Sequence, residues 1–350
     1  MKIALVAPPF IAVPPRKYGG TELFVAELAK GLQARGIEVV LYANGASTAP
    51  VETRWIYEKE DWPIAGAVEA SLKALSHSCW AVKDASREAD LIHLNSAPGI
   101  SYSHFVSQPF VYTVHHAFEQ ALTDYYRTLP DVYYVTISDF QRRQLPMQHM
   151  RTIHHGVDFN LYTMGTGKRS YLAFLGRLAP TKGTHLAIEI AQQAGIPLKI
   201  AGEIQPLYKE YWEKQVKPHV DGKLIQYIGE VGPTEKAELL GNATAMLFPI
   251  QWNEPFGLVM IEAMACGTPV LAMPGGSVEE IVKEGVGGHV RRSVKELADC
   301  ARNLALDVQA VRAYAEQNFS VERMIDNYIQ LYSDILTDRQ TGVDAERIVA

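Results

Sequence analysis

Two carboxylates stand out in and just before the stretch Pro255 to Gly267, PFGLVMIEAMACG. Glu262 is the one charge in an otherwise apolar run. Glu254 precedes it by eight residues, across a Pro-Phe-Gly turn. The run has helical length, and Gly257 can open it. Leu258, Ile261, Glu262 and Ala265 then share one face at i, i+3, i+4 and i+7. A lone buried carboxylate costs free energy unless something hydrogen-bonds it. Its partner is either a polyhydroxylated ligand or a set of backbone groups in the core, and spacing alone leaves both open.

The elements around the carboxylates must position them. Short apolar runs alternate with longer helical patterns along the chain. Strands are expected over 2–7, 38–42, 91–94, 110–114 and 132–137, then over 171–175, 198–201, 224–228, 245–248 and 269–272. Helices fit between them, for example over 21–34, 183–194, 234–240 and 294–305. Such alternation implies parallel sheets with helices on both faces. Two series, with a glycine-rich joint near 165–168, imply two doubly wound Rossmann-like domains, 1–164 and 165–320. A last helix over 321–336 could return across the joint onto the first domain, a choice that periodicity leaves open. The tail 337–350 reads as polar and frayed.

Open α/β sheets bind ligands outside the carboxyl ends of their strands, and two such domains offer a cleft between them. The residues after each expected strand therefore carry the functional reading. After the first comes Tyr18-Gly19-Gly20-Thr21-Glu22, entering a helix. Paired glycines admit a close ligand, and a helix N-terminus favours anions; a plain flexible turn is the alternative. After the fifth come His115 and His116, of which one can face the cleft and the other the core. The second half begins with Gly176-Arg177-Leu178 and then Lys182-Gly183 at a helix start. Arg offers a planar fork and Lys a point charge, so a diphosphate fits; a solvated basic loop explains the same residues. Gly202-Glu203 and Gly229-Glu230-Val231-Gly232 are turns that could meet a flat base, and Gly275-Gly276-Ser277 repeats the glycine-loop-to-helix theme.

Composition bounds the partners. A net charge of -6 over 350 residues argues against nucleic acid, which needs a basic footprint. Cys79, Cys266 and Cys300 are scattered without metal spacing, which suits a reducing, cytoplasmic setting. MKIALVAPPF reads as a buried strand rather than a signal peptide. No apolar stretch has membrane-spanning length, and no long basic amphipathic helix supports peripheral membrane contact.

These pieces in this order resemble the retaining glycosyltransferases of family 4, which have the GT-B fold, along nearly the whole chain. EPFGLVMIEAMACGTPV resembles the family's Glu-x7-Glu signature, and GRLAPTKG its diphosphate-binding motif. YGGTE, VYTVHH, HHGVD and GSVEEIV fall where its weaker motifs lie. The resemblance implies a nucleotide-sugar donor held mainly by the second domain and a hydroxyl acceptor approached from the first. It gives Arg177 and Lys182 to the diphosphate, Glu262 to the ribose hydroxyls, and Glu254 to the donor sugar. The backbone of Phe256, Gly257 and Leu258 would contact sugar and phosphate. Gly20 would bring its loop to the diphosphate, and His115 would face the reacting sugar. The resemblance implies no metal, and the chain has no Asp-x-Asp pair to hold one. UDP is expected as the nucleotide by family frequency, with GDP next. Two departures exist. His155 stands before Gly156 where the family often has Asn, and receives no site role; Glu203 follows Gly202 where the family often has a second glycine.

The chemistry fits these residues. Departure of a nucleoside diphosphate builds negative charge that fixed cations and a helix N-terminus stabilise. No residue can be assigned as the nucleophile that a double displacement needs. The resemblance therefore implies front-face displacement with retention. A phosphorylase, a nucleotide-sugar epimerase and a catalytically silent nucleotide-sugar sensor are the alternatives. The joint presence of Arg177, Lys182, Glu254 and Glu262 speaks against the silent one.

Overall fold

Apolar runs that are too short for helices, and that are covered on both faces, become the inner strands of two parallel sheets. The computed structural model describes residues 1–16, 19–64 and 66–349, with the backbone alone over 340–349. Tyr18 of the YGGTE motif lies outside the described residues. The chain divides into two compact units, Met1–His154 with Val321–Ala350, and His155–Ser320.

The first unit holds β1 (Lys2–Val6), β2 (Glu38–Tyr42), β3 (Glu52–Arg54), β4 (Leu91–Leu94), β5 (Phe110–Val114), β6 (Tyr133–Thr136) and β7 (Met150–Thr152). Their order in the sheet is β3-β2-β1-β4-β5-β6-β7, all parallel. The second unit holds β8 (Tyr171–Leu175), β9 (Leu198–Ala201), β10 (Ile225–Gly229), β11 (Ala243–Phe248), β12 (Val270–Ala272) and β13 (Gly288–Val290). Their order is β10-β9-β8-β11-β12-β13, again parallel. Each sheet reverses its winding once, between β1 and β4 in the first and between β8 and β11 in the second. Loops diverging from such a switch point leave a crevice at the strands' carboxyl ends. The expected doubly wound α/β class is the observed one.

Three expectations need correction. The Gly165–Lys168 segment is not the joint, because the chain passes between units at His154–His155. Gly165 instead lies inside the second unit, where an added Cβ would come 2.4 Å from the Gly241 carbonyl oxygen. The helix expected over 294–305 ends at Arg302, where the Asn303 side chain bonds the Asp299 carbonyl. The tail is not frayed from Thr337, since the last helix runs Val321–Val349. Once its first turns are packed, each further residue adds a hydrogen bond without a new nucleus. Among the described residues no helix is long and apolar enough to cross a membrane.

That last helix belongs to the first unit. Val321, Met324, Ile325, Tyr328, Leu331, Tyr332 and Ile335 recur at helical spacing and are buried in its core. Close packing against the Gly20–Ala34 helix needs Gly31, where a Cβ would fall 1.9 Å from Ile325 Cδ1. The helix also supplies polar partners. Tyr332 Oη meets Nδ1 of the buried His93 at 2.7 Å. Nε2 of His93 meets Thr113 Oγ1 at 2.8 Å, and Thr113 in turn meets Tyr328 Oη at 2.9 Å. Burial pushes the His93 ring down to about 3, so it stays neutral.

Tyr332→Phe should leave Nδ1 of His93 without its hydroxyl partner, at a cost of about 1–3 kcal/mol. The measurement is the urea midpoint of unfolding. An unchanged midpoint would show that the bond adds no net stability.

Candidate active site

The two loops that diverge at the second switch point carry the expected phosphate-binding and carboxylate residues. The loop after β8 runs through Arg177 and a single 3₁₀ turn, Pro180–Lys182, to Gly183, which opens the Thr184–Ala194 helix. The loop after β11 runs from Pro249 to Gly257, which opens the Leu258–Ala265 helix. Both opening glycines have left-handed backbones, φ 73° and 83°. A Cβ at Gly183 would fall 1.9 Å from the Pro249 carbonyl oxygen, so the loops can meet only with glycine there. The Gln251 amide donates to the Thr181 carbonyl at 2.8 Å and ties them again.

Across this junction Lys182 Nζ pairs with Glu254 Oε2 at 2.5 Å. The Trp252 indole N–H donates to the same oxygen at 3.0 Å, and the ammonium lies 4.8 Å from the indole centroid. Glu254 is only 7% exposed. Its Oε1 takes no hydrogen bond among the described residues. Glu262 is more deeply set, at 2% exposure. Its Oε1 accepts from Tyr162 Oη at 2.7 Å and from Lys236 Nζ at 2.5 Å. Its Oε2 takes none among the described residues. Each carboxylate is thus half satisfied by the protein.

Supporting contacts hold the second loop. The Ser277 amide donates to the Glu254 carbonyl at 2.9 Å, and Ser277 Oγ to the Phe256 carbonyl at 3.0 Å. Gly276 lies so close that a Cβ would sit 2.1 Å from the Glu254 carbonyl oxygen. Gly275-Gly276-Ser277 therefore acts as a buttress for the carboxylate loop. Phe256 is buried, with the His155 ring edge-on at 5.1 Å. Gly257 and Leu258 remain partly exposed, so the N-terminus of their helix faces outward. Arg177 is partly exposed on the first loop. At Gly202, in a turn that could meet a flat base, the backbone also requires glycine, because a Cβ there would fall 1.8 Å from the Gly176 carbonyl oxygen.

The first unit holds the remaining expected residues. Gly20 is exposed at the start of its helix, next to the loop after β1. Phe24 on that helix packs 5.0 Å from the His115 ring, which joins the two motifs. Nε2 of His115 meets Asn95 Oδ1 at 2.9 Å. His116 serves the core, with Nδ1 on the Ala117 carbonyl at 2.7 Å and Nε2 on Tyr126 Oη at 2.6 Å. Burial lowers its basicity.

A family model described as Glycosyltransferase Family 4 matches residues 18–161, and one described as Glycosyl transferases group 1 matches residues 165–318. The chain belongs to glycosyltransferase family 4. Spore coat protein SA of Bacillus subtilis is 23% identical to this glycosyltransferase, across 95% of this chain and 99% of that one. AviGT4, a glycosyltransferase involved in avilamycin A biosynthesis, is similar in structure at a TM-score of 0.75 and 26% identity, over 96% of this chain and 98% of that one. HepE of Anabaena shares the fold at a TM-score of 0.75 and 22% identity, over 95% and 99%. The fold of this glycosyltransferase is GT-B.

Reading the sequence missed Trp252, Tyr162 and Lys236 as carboxylate partners and Asn95 as the partner of His115. Of these only Trp252, two residues from Glu254, gave a local signal. Glu22, in the YGGTE motif, has no role assigned from the sequence. It sits in the first turn of the Gly20–Ala34 helix, 6% exposed, and burial raises its carboxyl to about 7. The folded state therefore holds this proton more tightly than the unfolded chain. The stability it contributes is full below pH 4.5 and is lost as pH rises through about 7. Glu22→Gln should flatten that fall, so its melting temperature should gain on the parent's between pH 5 and pH 8. Parallel pH profiles would exclude Glu22 as the source.

Proposed function

We propose that this glycosyltransferase moves a sugar from a nucleoside-diphosphate donor to a hydroxyl of a sugar, glycan or small-molecule acceptor, with retention and without a metal. The observation that carries this reading is the half-satisfied state of Glu254 and Glu262. Two nearly buried carboxylates on adjoining turns each keep one oxygen that takes no hydrogen bond among the described residues. Hydroxyl groups are the neutral donors that suit such oxygens, and a nucleotide sugar brings them in two places, on the ribose and on the transferred sugar. Glu262 takes the ribose and Glu254 the sugar.

The cations complete the reading. An ammonium has three donors. Lys182 uses one on Glu254 and can direct the others to a phosphate, so the same group aligns the sugar carboxylate and the leaving group. Arg177 adds a planar fork. The amides of Gly257 and Leu258 and the backbone of Phe256 meet sugar and phosphate at a helix N-terminus. Gly20 allows the first unit's loop to approach the diphosphate, and His115 faces the reacting sugar. UDP is favoured over GDP, which the complexes of HepE with UDP and UDP-glucose support. Three free cysteines accord with a reducing, cytoplasmic setting.

In the reaction the anomeric carbon–phosphate oxygen bond breaks as the acceptor oxygen–carbon bond forms on the same face. The acceptor's proton passes to a phosphate oxygen of the leaving group. Negative charge grows on the diphosphate, where Arg177, Lys182 and the helix N-terminus already lie, so little reorganisation is needed. Glu254 offsets positive charge on the sugar.

Arg177→Ala and Lys182→Ala should each lower turnover on the order of 10²-fold, the effect of losing one preorganised donor at the leaving group. Glu262→Gln should weaken nucleoside-diphosphate affinity in calorimetry, whereas Glu254→Gln should lower turnover and spare that affinity. Wild-type kinetics in both folded cation variants would sink the phosphate assignment.

An α-linked donor should give an α-glycoside. Anomeric coupling in the proton spectrum of the first-formed product decides this, or the one-bond carbon–proton coupling for manno sugars. The same reaction should run in excess EDTA. A β-linked product would contradict front-face displacement, and loss of activity restored by Mn²⁺ would contradict metal independence.

A further inference from the structure

Oε1 of Glu262 takes two donors, Tyr162 Oη at 2.7 Å and Lys236 Nζ at 2.5 Å. Together they keep the carboxylate from turning, so Oε2 has a fixed direction. Both donors are themselves held. Arg312 clamps the backbone of the Tyr162 segment, donating to the Phe159 carbonyl at 2.9 Å and to the Tyr162 carbonyl at 2.5 Å. Lys236 belongs to the Pro233–Gly241 helix. Residues just after the Leu258–Ala265 helix, which carries Glu262, tie that helix down. Thr268 Oγ1 donates to the Leu240 carbonyl at 2.6 Å, and Cys266 Sγ to the Ala237 carbonyl at 3.8 Å. The Lys236 amide donates to the Gly232 carbonyl at 2.9 Å, so the lysine emerges directly after the Gly229-Glu230-Val231-Gly232 turn.

The ammonium is only partly spent. One of its three hydrogens meets Oε1 of Glu262. A second can face the Tyr162 ring, whose centroid lies 5.4 Å away. The third has no acceptor among the described residues, and the side chain keeps 18% of its surface exposed. Neutralising Glu262 needs only the first. The two oxygens of a carboxylate are neighbours, so a hydroxyl that donates to Oε2 lies beside the ammonium. A hydroxyl also accepts. A carboxylate oxygen and an ammonium set side by side therefore suit the two ends of one hydroxyl group.

We infer that Lys236 is a specificity-determining residue that donates to the oxygen of the same ribose hydroxyl whose hydrogen goes to Oε2 of Glu262. This rests on the proposed donor and its ribose contact. In a nucleotide the ribose joins the base to the diphosphate. Lys236 likewise joins the turn that could meet a base to the carboxylate. The site is thereby built for ribonucleotides, because a deoxy sugar leaves a carboxylate oxygen and an ammonium unpaired at once.

Calorimetry on the full-length chain with UDP, 2′-deoxy-UDP and 3′-deoxy-UDP tests this without any turnover. The parent should bind UDP on the order of 10²-fold more tightly than one of the two analogues, which identifies the hydroxyl. Lys236→Met should cut that preference about tenfold, the share of one charge-assisted hydrogen bond. Lys236→Gln keeps an amide donor for Glu262 without the charge, and should act in the same way if Lys236→Met does not fold. Equal affinity of the parent for all three nucleotides overturns the proposal. So does a loss in the folded variant that is the same for all three, the mark of a mere counter-ion or of a phosphate contact. GDP and its deoxy analogues serve in the same way if UDP does not bind. If neither UDP nor GDP binds the parent, the donor reading fails and this proposal with it. Binding without discrimination among the hydroxyls leaves that reading standing and sinks the role of Lys236 alone.

Discussion

The second unit depends on keeping a carboxylate in a nearly dry place. Glu254 is stable there because Lys182 and Trp252 reach one of its oxygens. Removing one partner of a buried pair strands the other charge, which costs far more than the pair contributes when intact. The pair therefore fixes where the loops after β8 and β11 can lie, and the glycines follow from that. Gly183 and Gly276 occur where backbone meets backbone at distances no side chain allows. The same approach brings the N-termini of the Thr184–Ala194 and Leu258–Ala265 helices to the crevice at the switch point.

The first unit solves a related problem with neutral groups. His93, Thr113, Tyr328 and Tyr332 form a buried chain of hydrogen bonds under the sheet's carboxyl end. Burial keeps the imidazole neutral, so no counter-ion is needed. Phe24 packs on His93, His115 and Tyr328 alike, at 6.3, 5.0 and 5.6 Å. One aromatic ring thus touches both that network and His115.

The sheets were legible in the sequence because buried parallel strands read as unbroken apolar runs. The strands Glu52–Arg54, Met150–Thr152 and Gly288–Val290 were not, since each has three residues at or near a sheet edge with polar groups among them. Glu254, Glu262 and Lys182 could be singled out by spacing and by their place after strands. Their partners could not. Tyr162 lies 100 residues from Glu262, and Lys236 lies 26 away on another helix. Glycines were the least legible residues. Gly165 looked like a joint, yet it answers to a contact with the Gly241 backbone, and Gly202, whatever it meets, is pressed by the Gly176 carbonyl. Sequence shows that a glycine is wanted and not what presses against it.

The return of the C-terminal helix to the first unit has a consequence for how the protein is made. Tyr332 stands 239 residues after His93, and the whole second unit lies between them. At ribosomal rates of roughly 5–20 residues per second, the nascent chain waits on the order of 10–50 s for that tyrosine. Most of this interval is spent making His155–Ser320, while the first sheet still shows the apolar face that Val321, Ile325 and Tyr328 will cover. The first unit therefore cannot finish its core in the order of synthesis: its closing helix follows the whole of the second unit, and until that helix emerges its apolar face stays open to chaperones or to premature association.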